Sequence, residues 1–191
     1  FNDIKSKNEV FDNLSRIRRY PSKNDIIGLP QIPSSNNLTK EQKKEVIDFT
    51  VKNWAKSQEK INKNNKTNIL KTHNMLCKLN LDGQDYSFAN LNNTIGVIHV
   101  VRDPRNIITS VKNHFSLSNE EESVEMLSDK FNWTGFINNE VPQLLSSWGN
   151  HYNSWKKFPK NYLLIKYEDL ILDIRKEILR IINYLSNYFE Y

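Results

Sequence analysis

The stretch Ile98–Phe115, IHVVRDPRNIITSVKNHF, decides how this chain is read. Apolar, β-branched residues run up to Val101 and stop at a cation, Arg102; Asp103-Pro104 follows, and then apolar residues at helical spacing. With the residues before it, TIGVIHVV reads as a strand, continuous enough to be buried on both faces of a parallel sheet. Asp103 suits a helix N-cap and Pro104 the first helical position. An arginine thus ends a strand beside a helix N-terminus, where first-turn N–H groups lack internal partners and favour an anion. A guanidinium there can grip a phosphate through two parallel hydrogen bonds. Ser110, eight residues on, can add a hydroxyl to the same anion if the loop folds back. The structural alternative is an ion pair of Arg102 with Asp103 or Glu168.

Working outward, residues 1–37 are polar and mixed, with a short helical pattern from Val10 to Arg19 and a loop carrying Pro21, Pro30 and Pro33. Thr39 and Gln42 form a capping-box pattern for a helix running to about Ile61, with Val46, Phe49, Thr50, Asn53 and Trp54 near one face. INKNNKTN is a polar loop, and NILKTH reads as a short buried strand ending at His73. Residues 78–93, rich in Asn, Asp and Gly, read as loop. Ser118 is the expected cap of a helix whose Glu120, Glu121 and Glu122 suit the positive end of its dipole. Asn138 to about Lys157 reads as a helix with Trp148 and Trp155 on one side, stopped by Pro159. NYLLIKYEDL is a second buried strand, followed by a helix from about Asp173 to Leu185.

Strands alternating with helices indicate an α/β domain with a parallel sheet, in which ligands bind beyond the strand carboxyl ends. Three such ends carry chemically able residues: Lys71-Thr72-His73, Arg102, and Tyr167-Glu168-Asp169. If Lys71 and His73 lie in one strand they share a face, and Thr72 points oppositely. His99, mid-strand, and His151, among aromatic residues, read as structural.

The 191 residues suit a single domain, and 38% hydrophobic and 11% aromatic residues suffice for a core. A net charge of +5 favours an anionic partner or reflects a Lys-rich surface. One cysteine, Cys77, excludes an intramolecular disulfide and a thiolate metal cluster. The absence of a signal peptide and of a long apolar run leads to the expectation of a cytoplasmic protein with no membrane partner. The chain opens without Met and closes just after a helical pattern, so both ends are expected to be cut.

Three segments, taken in order, resemble the sulfotransferases that use 3′-phosphoadenosine 5′-phosphosulfate (PAPS). VVRDPRNIITS is similar to their 3′-phosphate-binding segment, which implies that Arg102 and Ser110 contact that phosphate; Asn106 replaces a typical acidic residue. ILKTHN resembles the segment bearing the catalytic base, which implies that role for His73, with Lys71 beside it to steady charge on the sulfuryl group. SWGNHYNSW and NYLLIKYEDL resemble the tryptophan-bearing helix and the strand end whose Tyr, here Tyr167, approaches adenosine. The resemblance covers about residues 67–185. It implies a P-loop NTPase-like sulfotransferase fold, a single partial domain over residues 1–191, in-line transfer from PAPS without metal, and a small-molecule or glycan acceptor with a hydroxyl or amine.

The family's Lys- and Gly-bearing loop for the 5′-phosphosulfate is missing, as is its later glycine-rich segment; Gly28, Gly83, Gly96, Gly135 and Gly149 lie elsewhere. A chain truncated at both ends explains both gaps, and such a fragment is expected to be inactive by itself. Two other readings stand beside this one. A P-loop kinase-like phosphotransferase requires a Walker loop and Mg²⁺ ligands, and a basic nucleic-acid-binding module would draw on the Lys-rich stretches KEQKK and KINKNNK.

Overall fold

A computed structural model describes residues 17–30, 38–63, 67–136 and 140–188. Parallel strand pairs and helices make it an α/β structure. Strand β1 (Arg18–Arg19) pairs in parallel with β2 (Leu70–Lys71), and β5 (Gly96–Val101) in parallel with β8 (Asn161–Lys166). Two antiparallel pairs accompany them: β3 (Lys78–Leu81) with β4 (Gln84–Ser87), and β6 (Trp133–Thr134) with β7 (Gln143–Leu144). The helices are α1 (Lys40–Asn62), α2 (Pro104–Phe115), α3 (Glu120–Ser128), α4 (Trp148–Lys156), α5 (Tyr167–Leu172) and α6 (Ile174–Ser186).

The core gathers on α1. Val51 and Trp54 are fully buried there and pack with Tyr20, Phe88, Ala89, Trp155 and Phe158. Trp54 meets Phe88 edge-on at 5.2 Å between ring centroids, the favoured arrangement of two quadrupoles. The capping box holds as expected: the Thr39 hydroxyl accepts from the Gln42 N–H while the Gln42 side chain accepts from the Thr39 N–H. The Tyr20 hydroxyl lies 2.8 Å from that of Ser57, and the Gln58 amide donates to it at 3.1 Å, so these side chains are paired within the apolar layer, whereas the Trp54 indole N–H is buried without a partner among the described residues.

Several expectations change. Residues 78–87 are a hairpin and not a loop: Asp82 and Gly83 both take positive φ, 53° and 81°, as the two central residues of the tight turn that joins β3 to β4. The Asp-Gly pair was the available signal. Of the helix expected over 138–157, residues 138–139 lie outside the described residues, and among the described ones it begins only at Trp148. Pro142 removes a backbone donor, Gln143–Leu144 pair with β6, and Ser147 caps the shorter helix by accepting from the Asn150 N–H. Asn119, not Ser118, caps α3. The strand in NILKTH ends at Lys71, so strand alternation does not relate Lys71 to His73. Of the helical pattern over 10–19, residues 10–16 lie outside the described residues, and Arg18–Arg19 form a strand.

The β5–β8 pair is less enclosed than expected. Only His99 is buried in β5 and only Ile165 in β8, and Val100 is 56% exposed. Helix α6 leaves Ile174, Ile178, Leu179 and Ile182 exposed, while Glu177 is buried and bonded to Arg180. Tyr184 of α6 donates to the Asn161 carbonyl at 2.8 Å. This contact leaves no room at Gly96, where an added Cβ would lie 2.1 Å from the Tyr184 hydroxyl oxygen. Gly96→Ala is therefore expected to destabilise the fold by about 1–3 kcal/mol in chemical denaturation, and by less in a Tyr184→Phe background.

Candidate functional site

Strands β5 and β8 run in register with Val101 opposite Lys166, so Arg102 and Tyr167 emerge side by side at their carboxyl ends. The Arg102 guanidinium lies over the Tyr167 ring, 4.7 Å from its centroid. Neither carboxylate proposed as its partner takes it. Asp103 pairs with Arg105 at 2.6 Å, and the Glu168 carboxylate accepts from the Asp103 N–H at 3.1 Å and the Asn106 amide at 3.3 Å. Among the described residues Arg102 forms no ion pair, and its Nε is buried without a hydrogen-bond partner. A buried guanidinium nitrogen left without an acceptor is costly and is the kind of group an anionic ligand relieves.

Asp103 caps α2, accepting from the Arg105 N–H at 2.9 Å, and its carbonyl accepts from Asn106 at 2.9 Å. The Arg105 and Asn106 N–H groups of the first turn are thus satisfied from within, by Asp103. Arg105 holds the Asp103 carboxyl down to about 2, so it stays ionised. Ser110 lies exposed on α2, and Tyr167, 39% exposed, opens α5.

His73 lies at the surface, two residues beyond β2, and its backbone is held from both sides. Its N–H donates to Gln143 Oε1 at 2.9 Å, and its carbonyl lies 3.3 Å from His151 Nε2. Desolvation, then the charges of Lys71 and Arg19, lower the imidazole's pKa from its ordinary 6.5. Lys71 is exposed close by and enters no ion pair among the described residues. Next in the chain, Asn74 is fully buried: its Oδ1 accepts from the Leu144 N–H at 2.7 Å and its carbonyl from the Trp155 indole at 3.0 Å.

Helix α4 joins the two ends. His151 reaches the His73 carbonyl and also lies 5.9 Å, ring to ring, from His99. Beside Arg102 is a cavity of about 190 Å³, lined by His99, Ile107, Trp148, His151 and Tyr152 among others. Ser110, Lys71, His73 and Tyr167 do not line it. The structure therefore unites Arg102 with Tyr167, and Lys71 with His73, and places His151 between the two groups. His99 and His151, expected to be structural, border this cavity. Spacing within single segments gave no sign of that, because the cavity forms only when α4 packs on β5.

His99 Nδ1 lies 2.8 Å from the Tyr162 hydroxyl; burial and then His151 push its pKa down to about 4, and burial lowers that of His151 too. Among the described residues no group of three or more His, Cys, Asp or Glu converges as a metal site requires, and no helix is long and apolar enough to cross a membrane.

The family model for the sulfotransferase domain matches residues 7–190. Over 92 residues the chain is 32% identical to a 3-alpha-hydroxysteroid sulfotransferase of Cavia porcellus, covering 47% of this chain and 31% of that relative.

The histidines generate a pH dependence of known sign. His99 binds its proton near 6.5 when unfolded and only near 4 when folded, so stability falls as pH drops through that interval. His73 and His151, lowered as well, act in the same direction. Denaturation midpoints measured from pH 7 to 4 are expected to decline, and to decline more shallowly for His99→Gln.

Proposed function

The chain belongs to the sulfotransferase family, and from that premise we propose that it serves transfer of a sulfuryl group from PAPS to the hydroxyl of a small-molecule acceptor, with His73 as general base. The observation that carries the reading is Arg102: a guanidinium at a strand end, stacked on Tyr167, with no carboxylate to neutralise it. That arrangement fits the 3′-phosphate of PAPS, with Arg102 and the Ser110 hydroxyl holding it and the outer face of Tyr167 open to adenosine. When bound, PAPS supplies the activated sulfuryl group.

The chain's own residues then have distinct tasks. His73 accepts the acceptor's hydroxyl proton, a task suited to an imidazole that is neutral near pH 7. Lys71 places a positive charge beside it, which favours the neutral imidazole and steadies negative charge on the group transferred. The name of the guinea-pig relative supports a hydroxysteroid as the acceptor to try first.

Calorimetry separates this reading from that of a kinase-like nucleotide site. In metal-free buffer 3′-phosphoadenosine 5′-phosphate is expected to bind about tenfold or more tightly than adenosine 5′-phosphate, through the charge-assisted bonds of the extra phosphate. Arg102→Ala should erase the difference; tighter binding of ATP with Mg²⁺ would overturn the assignment. Turnover of the intact protein with PAPS and a 3α-hydroxysteroid is expected to fall by about 10²–10⁴-fold in His73→Ala. The acid limb of wild-type kcat should lie below pH 6.5, on the side to which His73 is shifted. Undiminished turnover of His73→Ala removes the histidine from the mechanism.

A further inference from the structure

We propose that Gln143 is a positioning residue for His73, an inference that rests on the assignment of His73 as the base. Gln143 is wholly buried in β7, an unusual place for a primary amide. Its Oε1 takes the His73 N–H at 2.9 Å and the Thr72 hydroxyl at 3.4 Å. Its Nε2 is buried with no hydrogen-bond partner among the described residues. Turning the amide over would set a donor against the His73 N–H, so the two bonds to residues 72 and 73 dictate which end goes unsatisfied.

An apolar side chain of similar shape would fill this position without burying an orphaned donor. What the glutamine provides instead is an acceptor aimed at the backbone of the base. His151 grips the other side of the same residue, through its carbonyl at 3.3 Å. Thr72 is drawn into the grip, because its hydroxyl also accepts from the Asn74 N–H at 3.0 Å. His73 lies outside any strand and at the surface, so no ladder orients it. The Gln143 and His151 contacts are the described hydrogen bonds that fix its peptide groups, and the imidazole is directed through them.

The test uses the intact protein with PAPS and androsterone, a 3α-hydroxysteroid, as probe acceptor. Gln143→Met, which keeps the volume and removes the acceptor, is expected to lower kcat by about ten- to a hundredfold, as small misplacements of a catalytic group do. KM for PAPS should stay within about twofold, since ground-state donor binding does not involve residues 72–73. In a His73→Ala background the same substitution should change kcat by less than about threefold, because two residues acting as one unit are not additive. Should Gln143→Met fail to fold, Gln143→Asn keeps the polarity while withdrawing the oxygen, and the same pattern is expected. A full loss persisting in the His73→Ala background, or an equal rise in KM, makes Gln143 a structural residue and overturns this inference while leaving His73 as base. Unimpaired turnover of His73→Ala alone overturns both.

Discussion

Trp155 ties the hydrophobic core to the candidate site. Its ring is buried against Phe88, edge-on at 6.3 Å, and against Phe158 at 6.4 Å. Its indole N–H leaves that apolar layer to meet the Asn74 carbonyl, one residue from His73. A tryptophan can do both because one end is apolar and the other donates. The remaining contacts of α4 follow from that anchor. Ser154 accepts from the Leu76 N–H at 3.1 Å, and His151 falls between the His73 carbonyl and the His99 ring. The burial energy of the core is thereby used to hold a surface segment that has almost no regular structure of its own.

Among the described residues four buried side-chain polar atoms lack a partner, on Trp54, Arg102, Ser123 and Gln143, and the second and fourth of these sit at the candidate site. Arg102 has a buried nitrogen without an acceptor, and Gln143 has a buried amide without one. Neither is explained by packing, and each adjoins a residue assigned to the chemistry: Tyr167 in one case, His73 in the other. The histidines around them share one trait, a pKa lowered first by desolvation. Near neutral pH they are therefore uncharged, and the positive charge at the strand end belongs to Arg102.

Much of this was legible before any coordinates. The strand-arginine-helix junction at 98–115 and the capping box at Thr39 stand, and the second parallel strand, expected over 161–170, is found over 161–166 with helix from Tyr167 onward; each is written locally in periodicity and cap chemistry. The hairpin at 78–87 was missed although Asp82-Gly83 announces it, since its strands are short and polar, without a strong apolar alternation. The helix drawn through Pro142 failed for the opposite reason: apolar spacing persisted across a segment whose backbone bonds go to β6 and to Asn74. As for the site, Arg102, His73, Lys71, Ser110 and Tyr167 were named from single segments. Gln143, His99 and His151 were not, because their meaning lies in contacts spanning dozens of residues.

The decisive measurement is a crystal structure of the intact protein with 3′-phosphoadenosine 5′-phosphate. The 3′-phosphate is expected within hydrogen-bond distance of the Arg102 guanidinium and the Ser110 hydroxyl, with adenosine against Tyr167 and His73 facing the vacant side of the 5′-phosphate. A nucleotide bound elsewhere, with Arg102 still resting on Tyr167 and no anion beside it, would contradict the account.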